Sequence, residues 1–245
     1  MIKIIAFALL IVCLVCPVFS FEDTKSHALV KKVEPNSVSN KVASSVEDIW
    51  DSIRSDQKSL KKEVLLMAYE GYQKMVEDGL LEEGKPLTII DFDLPSSEER
   101  LWIIDVQNQG LEFVSLVAHG RNSGGLHAEN FSNVPESYMS SLGFYLTGET
   151  YIGKHGQSLR LDGMEKGIND NARIRAIVMH AAKYAENSFV KLHGRLGRSL
   201  GCPALPDDNF EEIVDLIKNK SCLFIHASEN TYKNQSAYIG HLSAG

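Results

Sequence analysis

Cysteine is scarce in this chain, with four among 245 residues. Two of them, Cys13 and Cys16, fall in the apolar N-terminal run. Only Cys202 and Cys222 remain beyond it, too few for a disulfide framework to replace a hydrophobic core. One bridge between these two is still a reading to weigh for an exported protein. Long apolar runs are also missing. Apart from Ile4–Val15, no stretch approaches the roughly 20 apolar residues of a membrane-spanning helix. Positive charge is in deficit, with 25 Lys and Arg against 32 Asp and Glu and a net charge of −7. That balance excludes nucleic-acid binding by bulk electrostatics, while leaving room for a positive pocket. There is no internal repeat, no low-complexity tract and no HExxH zinc signature. A zinc peptidase needs three protein ligands and an open position, and the closest histidine pair is His119 with His127.

What is present begins with MIKIIAFALLIVCLVCPVFS, one lysine followed by a short apolar core and small residues at Val18 and Ser20. This pattern predicts a secretory signal peptide over residues 1–20, cut after Ser20. The expected location is therefore periplasmic or otherwise extracytoplasmic, with no stable membrane insertion after cleavage. A lipid anchor on Cys16 is set aside, because Val15 stands where a small residue is needed. Losing Lys3 takes the mature chain to −8.

Residues 21–85 read as a linker and helical extension, with a short helix around Val46–Ile53 and a longer amphipathic one over 58–80 stopped by Gly79. From Pro86 the pattern changes to short β runs: Leu87–Phe92, Leu101–Val106, Leu111–Ala118, Gly143–Leu146, Ser158–Leu161 and Ile174–Met179. Asp208 and Glu211 form a capping-box pattern for a helix through about Lys218. A last strand covers Cys222–His226. With no regular βα alternation, residues 86–230 are predicted to form a mainly β (α+β) enzyme domain, and residues 231–245 a C-terminal tail.

The chemistry concentrates in HGRLGRSLGCPALP, residues 193–206. Glycines at 194, 197 and 201 allow close backbone approach. Arg195 and Arg198 bring cations toward Cys202, which lowers a thiol's pKa and raises its thiolate fraction. Backbone N–H groups of Gly201 and Cys202 are candidates for an oxyanion hole. A cysteine nucleophile also needs a base. His180 ends the apolar run IRAIVMH and is expected at a rigid strand end; His193, nine residues before Cys202, competes for the role. His119 in VAHGRNSGG, His155 in GKHGQ and Tyr151 are candidate pocket residues, each with a purely structural alternative.

Taken together, DFDLPSSEERLWIIDV, VAHGRNSGG, the long stretch from FSNVPESY to IVMHAA, and GRLGRSLGCPALP resemble the murein L,D-transpeptidase catalytic domain family, a branch related to the YkuD-type domains. The resemblance runs from Asp91 to about Ala227. Ser199-Leu200-Gly201-Cys202 matches the Ser-x-Gly-Cys part of the YkuD-type signature. His180 is followed by Ala181 where the broader family prefers glycine. The broad signature also has an arginine two residues after the cysteine; this chain has Ala204 there, and Arg198 is the expected substitute. The resemblance implies a YkuD-like β-sandwich or barrel and catalytic Cys202 and His180, with Ser199 and Gly201 shaping the site; Arg198, His119, Tyr151 and His155 are carried beside it as the substrate-pocket candidates read from their own local sequence. It implies peptidoglycan stem peptides as partners, no metal or organic cofactor, and acylation by carbapenems. The reaction implied is L,D-transpeptidation through a thioester, with L,D-carboxypeptidation or a non-catalytic wall-binding module as alternatives.

Overall fold

The computed structural model describes residues 45–56, 59–154 and 156–240. The signal-peptide segment, most of the linker, His155 and residues 241–245 lie outside them. No helix among the described residues is long and apolar enough to cross a membrane.

Helix α1 (residues 45–53) buries Val46, Ile49 and Ile53, and α2 (Lys62–Glu77) buries Val64, Leu65, Ala68, Tyr72 and Met75. Both sets recur at helical spacing, so each helix presents one apolar stripe. Each large side chain so buried contributes about 1.5–3 kcal/mol, which makes the stripes, not helix propensity, the reason these helices hold. At Gly71 a Cβ would lie 2.1 Å from the Phe144 ring. The missing side chain is what lets that ring pack directly on α2.

Eight strands follow: β1 (Leu87–Asp91), β2 (Leu101–Asp105), β3 (Gly110–Ser115), β4 (Gly143–Gly153), β5 (Gly156–Gly163), β6 (Val178–Ala181), β7 (Ala204–Leu205) and β8 (Cys222–His226). They form one sheet in the order β3-β2-β1-β8-β4-β5-β6-β7. Pairing is antiparallel except for β1 with β8 and β6 with β7. The central strands β1 and β8 are buried along their whole length, as parallel neighbours covered on both faces must be; α2 supplies part of that cover. Just beyond β3, Ala118 exchanges backbone hydrogen bonds with Ala204 of β7, at 2.8 and 3.4 Å. The two edges of the sheet are thus tied together, and the sheet curls into a nearly closed, mainly β barrel.

Three short helices complete the described residues: α3 (Asn187–His193), after a 3₁₀ turn at Lys183–Ala185, then α4 (Phe210–Ile217) and α5 (Asn230–Gln235). Side chains of α1 and α2 share a single core with the sheet, and so do Tyr232, Tyr238 and Ile239.

Two local expectations are corrected. The run Ile174–Met179 is not one strand: β6 begins only at Val178, because Ala176 takes a left-handed backbone (φ 52°) and ends a turn. The capping box at Asp208 does not form. Helix α4 starts one residue later, with Asn209 at its N-cap and no side-chain cap.

Candidate active site

The turn that carries Cys202 is held by a backbone frame. Ser199 N–H donates to His119 O at 2.9 Å, and Arg121 N–H donates to Ser199 O at 2.8 Å. Inside the turn, Ser199 Oγ accepts the Gly201 N–H at 3.0 Å and donates to Cys202 O at 2.6 Å. Gly201 sits at φ +123°, and a Cβ there would lie 2.7 Å from Met139 O. Only glycine satisfies both conditions. Ser140 Oγ donates to Gly201 O at 3.2 Å and closes the frame from below the turn.

Cys202 and Cys222 are both free thiols. Cys222 is buried on β8 with its Sγ 3.8 Å from Met75 Sδ, a packing role. Cys202 is half-buried. Its Sγ lies 3.5 Å from the Val178 N–H donor and 3.7 Å from Ala176 O. Burial is the largest influence on this thiol and pushes its pKa up, while the Val178 N–H and the Arg175 charge pull it down. Burial wins. The direction is thus opposite to the lowering expected from Arg195 and Arg198, and an attack through a thiol shifted this way needs a base.

His180 meets the geometry of such a base. It is buried on β6, where its N–H reaches Pro203 O at 3.4 Å, and β6 pairs in parallel with β7. Its Nδ1 lies 2.9 Å from Ala181 O. A carbonyl only accepts, so Nδ1 carries the hydrogen and Nε2 is the basic atom. Cys202 Sγ contacts Val178, two residues before His180, or roughly 7 Å along the strand. A cleft of about 430 Å³ joins the two residues. Around Cys202, Ser199 and Leu200 from the turn and Val178 and His180 from β6, it is lined by Arg175, Ala176, Tyr184 and Arg198. Tyr151, Lys154 and Ser158 of the β4–β5 hairpin complete it. Lys154, Arg175 and Arg198 are cations, and no carboxylate is among the described residues lining the cleft. This positive pocket lies on a chain of net charge −7.

The sequence profile of the L,D-transpeptidase catalytic domain matches residues 56–226. The chain belongs to this family. No curated protein matches it. Solved structures similar to it include an L,D-transpeptidase from Mycobacterium smegmatis, with 12% identity over 58% of this chain and 59% of that one and a TM-score of 0.37. Another, residues 123–326 of the L,D-transpeptidase from Xylanimonas cellulosilytica, shares 10% identity over 76% and 93%, at a TM-score of 0.34. One from Stackebrandtia nassauensis shares 10% over 80% and 92%, at 0.36. The chain thus spans about three fifths of the Mycobacterium smegmatis protein it matches.

Within this L,D-transpeptidase domain the expected site residues separate. Cys202, His180, Ser199, Arg198 and Tyr151 line the cleft together. The Tyr151 ring carries the Arg160 guanidinium at 4.3 Å. His155 lies outside the described residues, and His193 ends α3 against Phe189, with no part in the cleft. Gly201 is corrected as an oxyanion donor, because its N–H is already taken by Ser199 Oγ. The Cys202 N–H has no acceptor among the described residues.

His119 is also corrected. It is fully buried and outside the cleft. Its Nδ1 accepts from Arg100 Nη2 at 2.8 Å, and burial together with the Arg100 charge lowers its pKa to about 3. Arg100 is itself buried, with donors on Val117 O and Leu94 O. The pair braces the segment that frames the Cys202 turn, so His119 serves the site through its backbone. Sequence reading missed Arg175, Val178 and Tyr184. Arg175 was in view, five residues before His180, but an assumed strand hid the turn that carries it. Three metal-capable side chains, Asp91, Asp93 and His226, lie within 4.8 Å of one another away from the cleft. Asp93 is tied to Ser228 through two hydrogen bonds and His226 Nδ1 lies 2.9 Å from Asp91.

Proposed function

We propose that this chain is an exported peptidoglycan L,D-transpeptidase with Cys202 as nucleophile and His180 as its base. The observation that carries the reading is the cationic cleft shared by a half-buried thiol and a histidine whose Nδ1 is fixed on a carbonyl. His180 Nε2 takes the thiol proton as Sγ bonds to the carbonyl carbon of an L-centre to D-Ala bond in a stem peptide. The carbon–nitrogen bond then breaks, and the same proton passes to the departing amine. A thioester on Cys202 remains. An amine of a second stem attacks it and gives up a proton to His180. The new amide forms, and the sulfur leaves and is reprotonated. Water in the amine's place makes the same chemistry a carboxypeptidation. The Cys202 N–H is the backbone donor open to the developing oxyanion. Lys154, Arg175 and Arg198 suit a substrate rich in carboxylates. Residues 1–20, as a signal peptide, place the enzyme beside that polymer.

The test is intact-mass spectrometry of the mature protein with a carbapenem, followed by peptide mapping. A stable adduct on Cys202, lost in Cys202→Ala and kept in Cys222→Ala, is expected. An adduct on another residue, or equal loss in both variants, overturns the assignment.

A further inference from the structure

The broad signature's arginine, two residues beyond the cysteine, is Ala204 here, and Arg198 does not replace it at the sulfur. The Arg198 Nη1 is turned to Arg121 O at 3.2 Å and Gly124 O at 3.0 Å. The cation that reaches Cys202 comes from another element. Arg175 lies in the turn before β6, half-buried in the same cleft, and its Nη2 is 3.3 Å from where a Cβ on Gly201 would be. Its donors are fixed on the loop spanning residues 132–141. Nη1 reaches Ser132 O at 2.7 Å and Ser141 Oγ at 2.5 Å, while Nη2 reaches Met139 O at 2.6 Å and Ser137 Oγ at 3.2 Å.

All four acceptors are neutral. No carboxylate among the described residues pairs with Arg175. The ionisable groups whose negative forms it would favour are Cys202 and Tyr145. Tyr145 is fully buried, and burial holds its hydroxyl protonated. A partly buried cation left without a counter-ion is costly, and here the anion that can face it is the Cys202 thiolate. The other groups around that sulfur are His180 on β6, Tyr184 in the 3₁₀ turn, Arg198, and Tyr151 with Lys154 on the hairpin. None of them is a carboxylate.

The geometry points to Arg175 as the positioning residue of the nucleophile: a guanidinium clamped on the 132–141 loop supplies, from the turn that leads into the strand carrying His180, the positive charge that the related domains place after the cysteine. This rests on the reading of Cys202 as the nucleophile. Arg175 thereby links two parts of the site. The loop fixes the guanidinium, the guanidinium stands beside Gly201, and the charge favours the sulfur only once it is ionised.

The test is iodoacetamide alkylation of Cys202, followed by peptide mapping from neutral pH to about pH 10.5, in the full-length mature protein. Arg175→Met is expected to move the alkylation midpoint up by about one unit or more. At neutral pH the rate then falls about three- to tenfold, since a more basic thiolate partly offsets its lower population. Arg175→Lys keeps the charge and is expected within about threefold of the wild type. Ser137→Asp leaves the arginine in place and neutralises its field, so it shifts the midpoint upward, whereas Ser137→Asn does not. Midpoints for Arg175→Met and Ser137→Asp that coincide with the wild type overturn the inference. Should Arg175→Met fail to fold, the Ser137→Asp and Ser137→Asn pair decides alone. If wild-type Cys202 resists alkylation at every pH, both this inference and the nucleophile reading fall. If it reacts but ignores Arg175, this inference falls by itself.

Discussion

Replacing Ser199 with alanine removes one oxygen that serves two backbone groups. Ser199 is buried, and its Oγ accepts the Gly201 N–H at 3.0 Å while donating to Cys202 O at 2.6 Å. Neither group has another partner within the turn, so the variant strands a buried donor and an acceptor. A buried polar group left unsatisfied costs about 1–3 kcal/mol. A loss of about 2–3 kcal/mol is expected for the pair, because the Cys202 end of the turn is open to water. For a domain of this size that lowers Tm by about 5–10 °C. The turn also aims the Cys202 N–H and Sγ, so acylation by a carbapenem should slow without being abolished. The assays are thermal denaturation and time-resolved intact mass on the same preparation. A Tm equal to the wild type together with a complete loss of acylation would refute this account, for it would mean that Ser199 acts on the substrate directly and not through the turn.

Arg100→Met should destabilise the fold by at least about 3 kcal/mol, since it orphans His119 Nδ1, Val117 O and Leu94 O in the interior. Urea denaturation measures this, and a change below about 1 kcal/mol would show that the brace does not hold the frame. His119 gives a pH signature. Its folded pKa is lowered to about 3 from 6.5, so between those values the unfolded chain binds the extra proton and stability falls as pH falls. Over the window from pH 6.5 to about pH 5, before most carboxylates titrate, the loss from this one group is about 1.5 kcal/mol. His119→Gln, which keeps an acceptor for Arg100, should flatten the stability curve there by that amount. An unchanged slope would contradict the burial argument.

Much of the frame was written in the sequence. Strands β1, β2 and β8 and helix α2 follow from apolar runs and helical spacing, because each buries a face whose period is local. Ser199-Leu200-Gly201-Cys202 was legible as well, since a turn with its glycine and small neighbours is a short-range feature. Local sequence did not determine which way side chains point once strands curl. His119 and His180 both end β-like runs before small residues, yet one braces a buried arginine and the other lines the cleft. That difference arises where Ala118 meets Ala204 and the barrel closes, a contact between residues 86 positions apart.

The same holds for charge. Sequence proximity assigned the cation at the thiol to Arg198, three positions from the turn's glycine, while the folded chain brings Arg175 to it from beyond a strand pairing. Sequence likewise expected an acidified cysteine, and the tertiary structure decided otherwise. Desolvation is a property of everything packed around an atom, and around Cys202 it outweighs the one guanidinium and the one N–H that favour the thiolate. Local sequence determined which residues are candidates for the chemistry. The packing of distant segments determined which charge, which histidine and which backbone N–H they meet.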